Sequence, residues 1–169
     1  RNFTAHMGNA KKGTYEHVPV VDVLADGQGL AKAEGRAIQV PDVMPGDVIR
    51  VEVKSKRKGL FRGKLLAVEE PSPERIEPRC EHFENCGGCK WQHMTYDAQL
   101  AFKQKHVADA LRRVGGLPEE VSVPLPLPAP AVFNYRNKVE FSFSASRWLT
   151  RDEIASGVQL DPRSLGFHV

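Results

Sequence analysis

The sequence has no run of 18 or more apolar residues, so no segment of it is built to cross a bilayer as a helix. It also lacks a basic-then-apolar leader, and Arg1 to Met7 (RNFTAHM) reads as a vector-derived lead ending in a cloning-site His-Met. No strand runs into the glycine-rich turn and helix that cradle a nucleotide cofactor, because Asp26-Gly27-Gln28-Gly29 sits between two strand-like runs. Cysteine is scarce, with three residues in 169, and an odd number cannot all pair in disulfides. These absences argue against membrane-spanning and disulfide-stapled secreted classes. The expectation is a cytoplasmic, monomeric chain without membrane contact.

Charge is nearly balanced, at 24 Lys and Arg against 21 Asp and Glu, but it is unevenly placed. Residues 1–70 hold 12 cations against 9 acids, and residues 71–169 hold 12 against 12. The basic excess therefore sits in the first segment. Within it, Lys54, Lys56, Arg57, Lys58, Arg62 and Lys64 fall in eleven residues without an acid, which offers a polyanion a binding surface. A solvated hairpin is the bland alternative.

Hydrophobic residues make up 41% of the chain, enough to supply a core. Residues 15–70 read as short strands between turn signals. Val18 to Leu24 is closed by Asp26-Gly27, a pair of runs flanks Glu34-Gly35, and Pro45-Gly46-Asp47 opens Val48 to Val53. In that last run Ile49, Val51 and Val53 alternate with Val48, Arg50 and Glu52. A basic turn through Lys58-Gly59 then returns the chain along Leu60 to Val68, where Leu65, Leu66 and Val68 are expected to fill the same core. Five strands in this length predict a mainly β chain beginning with a small, closed, antiparallel OB-like barrel over 8–70.

A connector and Cys-rich segment follow over 71–93, with too few apolar residues for a core of their own. Thr95 as N-cap and Tyr96, Leu100, Val107, Leu111 and Val114 at helical spacing predict one amphipathic helix over about 95–114, within a helical segment 94–116 closed by Gly115-Gly116. Residues 117–132, with Pro124, Pro126, Pro128 and Pro130, predict an extended linker. From 133 to 169 the pattern predicts a half-buried strand with Tyr135, Val139, Phe141 and Phe143 on one face. A loop through Arg151-Asp152-Glu153 and a second strand from Ser164 to Val169 complete it. Ending inside a strand, the chain is expected to be a fragment that opens a larger α/β region.

All three cysteines lie in ten residues, as Cys80-x5-Cys86-Gly87-Gly88-Cys89, and clustering points to metal. Zinc would need a fourth ligand, for which His82 and His93 are available. An iron-sulfur cluster would need a fourth thiolate. Spacing alone leans slightly to zinc. The two glycines suit either, since they let backbone N–H groups approach sulfur.

The stretch from Cys80 through Cys86-Gly-Gly-Cys89-Lys-Trp-Gln92-His93 to Tyr96-Asp-Ala-Gln99 resembles the iron-sulfur signature of the RNA uracil-C5 methyltransferase family. The likeness extends upstream through Pro71-Ser72-Pro73-Glu74-Arg75 into a barrel similar to a TRAM domain, and downstream through Tyr135-Arg136-Asn137-Lys138-Val139 and Leu165-Gly166-Phe167-His168. It implies that Cys80, Cys86 and Cys89 ligate a structural four-iron four-sulfur (4Fe-4S) cluster whose fourth cysteine lies beyond Val169. It also implies S-adenosylmethionine as methyl donor in a catalytic domain absent from this chain, which by itself would be inactive, and ribosomal or transfer RNA as the partner.

Barrels of this class grip looped or single-stranded RNA with basic grooves and aromatic platforms. Phe61 beside Arg62 and Lys64, and Trp91 beside Lys90 and His93, are the candidate platforms, with Arg136 and Lys138 as further contacts. Against these stand packing of Phe61 across its hairpin, Trp91 covering the cluster, His93 bonded to backbone, and Arg136 paired with Glu140. Rival readings are a self-contained RNA-binding module with a zinc knuckle, a radical S-adenosylmethionine protein, for which the first cysteine gap is wrong, and a thiol oxidoreductase, for which the βαβ context is missing.

Overall fold

In the computed structural model, residues 13–57, 59–138 and 140–166 are described. The expected lead, Lys58, Val139 and residues 167–169 lie outside them. Two units result. The first comprises residues up to Glu77 together with Trp91–Pro128, and the second comprises Pro78–Lys90 with Ala129–Val169.

Strand-forming, alternating sequence builds the first unit. β1 (Gly13–Val23), β2 (Gly29–Ala33), β3 (Arg36–Val40), β4 (Val48–Arg57) and β5 (Leu60–Glu70) close a barrel in the order β1-β2-β3-β5-β4. Ile49, Val51 and Val53 point into it with Val18, Ile38 and Val40, as the alternation in β4 predicts. β1 serves two neighbours, and its register slips between Tyr15 and Val18 against β4 and between Val20 and Asp22 against β2. Such bulges let one strand bend around a small barrel. Glu34 and Gly35 both take positive φ, at 48° and 72°, the twist a two-residue hairpin turn needs between β2 and β3.

Two expectations are corrected here. The barrel is not wholly antiparallel, because β3 and β5 run parallel where Ile38 meets Phe61 and Gln39 meets Arg62. Leu66 is 41% exposed, while Leu65 and Val68 both pack on the core because the register against β4 shifts between them, opposite Arg50 and Val51. Gly63 permits the closure, since a Cβ there would stand 2.4 Å from Val51 Cγ2 and 2.9 Å from Ile38 Cγ2.

The connector is strapped to the barrel. Asp47, fully buried, accepts the backbone N–H groups of Met44 and Ser72 and two hydrogen bonds from Arg75. Ile76 N–H then donates to His93 O, and Thr95 N–H to Glu74 O, with an Arg75–Met94 bridge between them. Chain leaving at Ile76 thus returns at His93, and the cysteine loop is the excursion between.

α1 (Tyr96–Arg113) starts at its expected cap, with Thr95 Oγ1 accepting from Ala98 N–H. Its inward side keeps Leu100 of the predicted stripe but not Val107, Leu111 or Val114. Leu100 and Ala108 are buried, and Ala98 and Phe102 pack with Trp91 on a cluster of Val23, Met44 and Met94. Val107, Leu111 and Val114 are exposed. Polar tethers set this rotation: His106 Nε2 lies 2.7 Å from Val23 O, and Lys105 Nζ lies 2.9 Å from both Asp22 and Asp109. Residues 121–129 carry no regular structure, as the alternating prolines predict.

In the second unit the expected strand over 135–143 shrinks to β6 (Ser142–Ser144), paired with β7 (Ser164–Gly166). Tyr135, Phe141 and Phe143 are exposed rather than half-buried. The expectation of a single helix is also corrected. Arg151 to Ser156 form α2, a short helix begun by a capping box in which Thr150 and Glu153 satisfy each other's backbone N–H.

Candidate nucleic-acid interface and cysteine loop

The β4–β5 hairpin carries the basic run. From Lys54 onward β4 pairs with β5 on one side and, among the described residues, with no strand on the other. Lys54, Lys56, Arg62 and Lys64 are all exposed. Lys54 Nζ is 2.5 Å from Glu52 Oε1, whereas Lys56, Arg62 and Lys64 meet no carboxylate among the described residues. Lys56 instead holds its ammonium 5.1 Å from the centre of the Phe61 ring. Of the remaining members of the run, Arg57 pairs through its backbone with Leu60, and Lys58 lies outside the described residues. Lysines on an open edge also keep strands from pairing with other chains.

Of the ring-bearing candidates, Phe61 and His93 are buried and Trp91 is half-buried. Phe61 is 6% exposed and belongs to the barrel core, so it cannot stack on a base without leaving it. His93 is 1% exposed, its ring held against the backbone of Val43, which removes it both from RNA contact and from zinc ligation. Burial, reinforced by the charge of Arg75, pushes its pKa down to about 4. Trp91 packs beside the cluster of Val23, Met44 and Met94, its ring 5.7 Å from that of His106. The alternation in β5 places Phe61 inside, and the neck between Ile76 and His93 buries the histidine. The first signal was legible, but the second needs the fold.

The Asp47 carboxylate is the strongest electrostatic feature that sequence reasoning missed. Burial alone would raise its pKa, but hydrogen bonds from Arg75 and from the Ser72 and Met44 backbones outweigh that and hold it below the usual value. The Pro45-Gly46-Asp47 turn and Arg75 were both visible in sequence, but nothing there paired them.

The cysteine loop folds as consecutive turns, with Phe83 N–H on Cys80 O and Cys86 N–H on His82 O. None of the three cysteines forms a disulfide, and Cys80 and Cys89 are exposed while Cys86 is half-buried. Gly88 N–H points at Cys86 Sγ, 3.4 Å away, the donor geometry that favours a thiolate. Among the described residues no three His, Cys, Asp or Glu side chains converge closely enough to hold a metal ion. The chemistry of the donor set fits a thiophilic centre, while the gathering of its ligands is not present. Arg136 approaches this loop rather than Glu140, which pairs with Lys138 at 2.6 Å.

An RNA methyltransferase of Bacteroides thetaiotaomicron, itself described as uncharacterized, is 42% identical over 146 residues, covering 86% of this chain and 32% of its own. A 23S rRNA (uracil(1939)-C(5))-methyltransferase of Legionella pneumophila is 40% identical over 130 residues, covering 76% of this chain and 29% of its own. The chain is thus similar to part of RNA methyltransferases, a uracil-C5 methyltransferase among them. It spans about a third of the length of the curated relatives it matches. No protein-family model matches it. Among solved structures, the tRNA (uracil-54, C5)-methyltransferase of Pyrococcus abyssi in complex with S-adenosyl-L-homocysteine is 29% identical, covering 89% of this chain and 29% of its own. Its TM-score of 0.43 is too low to speak to the fold.

Proposed function

We propose that this chain is the RNA-gripping and cluster-bearing part of an S-adenosylmethionine-dependent methyltransferase that acts on C5 of uracil in ribosomal or transfer RNA. The observation that carries the reading is the β4–β5 edge, where Lys56, Arg62 and Lys64 stand exposed without acidic partners among the described residues. Each phosphate met by such a cation releases counterions, so the barrel, read as a TRAM domain, binds RNA without regard to sequence. With Phe61 in the core, its grip is on backbone rather than bases.

S-adenosylmethionine supplies an electrophilic methyl group when bound, and the residues that bind it and attack the base belong to the part of the enzyme beyond this chain. What this chain's residues do is hold the substrate and hold a loop in shape. Cys80, Cys86 and Cys89 are read as three ligands of a 4Fe-4S cluster, with a fourth thiolate from outside the chain, and Gly88 N–H supports the Cys86 sulfur. The zinc-knuckle alternative loses His93 to the core and would rest on His82, which is exposed and lies 3.5 Å from Glu81.

The test uses a full-length protein containing this chain, methyl-labelled S-adenosylmethionine, and ribosomal and transfer RNA as separate substrates. Label appearing in 5-methyluracil is expected, with replacement of Lys56, Arg62 and Lys64 raising KM more than it lowers kcat. Absence of label in both RNAs, or label on a base other than uracil, would overturn the reading.

A further inference from the structure

The cations of the basic hairpin do not share a face. Lys56 stands directly opposite Phe61 in the β4–β5 register, and directly opposite residues of an antiparallel pair project to the same side of the sheet. Phe61 points into the barrel, and Lys56 accordingly holds its ammonium 5.1 Å from the centre of that ring. Arg62 and Lys64 alternate with Phe61 along β5 and so project from the outer side. Between them Gly63 faces the core, where a Cβ would stand 2.4 Å from Val51 Cγ2. Lys54 is offset by Glu52 at 2.5 Å, which leaves Lys56 on the inner side and Arg62 with Lys64 on the outer side as exposed cations without a carboxylate among the described residues. The end of β4 also stands clear laterally. Its pairing with β1 stops at Gly13 and Val53, and from Ser55 to Arg57 it pairs with β5 alone among the described residues.

We infer that the projecting end of the β4–β5 hairpin engages both backbones of a base-paired RNA stem at once, Lys56 meeting phosphates of one strand and Arg62 with Lys64 those of the other. The inference rests on the RNA-gripping role proposed above and names the form of RNA that the edge fits. A single strand is one line of phosphates, and laid along the outer side it leaves Lys56 facing away from it. A stem presents two lines of phosphates across a groove, and in the A form the major groove is deep and narrow, so an edge entering it meets negative charge on both sides. Binders of single strands also stack bases on aromatic platforms, whereas Phe61, the aromatic ring of this hairpin, is committed to the core.

The test measures binding of this chain to an RNA duplex and to single-stranded polyuridylate with the same number of phosphates, over a salt series. The parent is compared with Lys56→Gln, Lys56→Arg and the double variant Arg62→Gln with Lys64→Gln. Each phosphate contact steepens the salt dependence by about 0.9 on a duplex and about 0.7 on a single strand, so slopes convert to contacts on each RNA. Lys56→Gln should lose about one contact on the duplex and none on polyuridylate, and the double variant about two on either RNA. Lys56→Arg, which keeps the charge, should match the parent. Because Lys56 is exposed, the urea midpoint of its variants should stay parental. A parent that binds neither RNA removes the proposed function and this inference with it. A double variant weakened on both RNAs while Lys56→Gln loses as much on polyuridylate as on the duplex, or nothing on either, overturns the inference alone, as does a parent that binds polyuridylate and not the duplex.

Discussion

Arg75 closes on Asp47 as a fork, with Nε 3.0 Å from Oδ1 and Nη2 2.7 Å from Oδ2, and this pair fixes where the connector leaves the barrel. The carboxylate is fully buried and its other acceptor sites are filled by Met44 and Ser72 N–H, so removing the guanidinium leaves a charge with no water to receive it. Arg75→Ala should therefore cost about 3–5 kcal/mol in urea unfolding. Arg75→Lys should recover only part, because an ammonium cannot make the two parallel bonds.

His93 predicts a pH dependence of its own. Its folded pKa is pushed down to about 4 from an ordinary value of 6.5, so between those values the unfolded chain binds a proton that the folded chain refuses. Stability from this residue is complete above pH 6.5 and falls as pH drops toward 4, by up to roughly 3 kcal/mol. Asp47, held below 3.8, gives way only at lower pH, so the two windows separate. Urea midpoints measured from pH 7.5 to 4 should show a flatter profile for His93→Gln than for the parent.

Phe61→Ala distinguishes packing from base stacking. As a barrel-core side chain at 6% exposure, its removal should cost about 3–5 kcal/mol of stability. RNA affinity of the protein that remains folded, and its salt dependence, should stay near parental values. A loss of affinity without a loss of stability would return Phe61 to the RNA surface.

Where function-neutral periodicity governs, the chain was legible. Ile49, Val51 and Val53 alternate into the barrel and Thr95 caps its helix because both signals are local. The parallel meeting of Ile38 with Phe61 was not legible, since it joins strands whose pairing depends on barrel closure rather than on any turn. The helix face was misread because Val107 and Leu111 fit the spacing, whereas Lys105 and His106 tie the opposite side to Asp22 and Val23. Thr150 and Glu153 did spell a capping box, and α2 was missed because six residues are too few for periodicity to register. For the site, the cations of β4 and β5 were found where the charge run put them. Trp91 and His93 were drawn inward by the neck between Ile76 and His93, which no local pattern announces.

The most direct measurement of the central claim is a salt series of RNA binding by this chain and by a variant with Lys56, Arg62 and Lys64 replaced by Gln. Each phosphate contact contributes a slope of about −0.7 to −0.9 to the plot of log affinity against log salt. The account predicts weaker binding at low salt and a clearly shallower slope for the variant, with an unchanged urea midpoint because all three side chains are exposed. Equal affinity and equal slope across the series would contradict it.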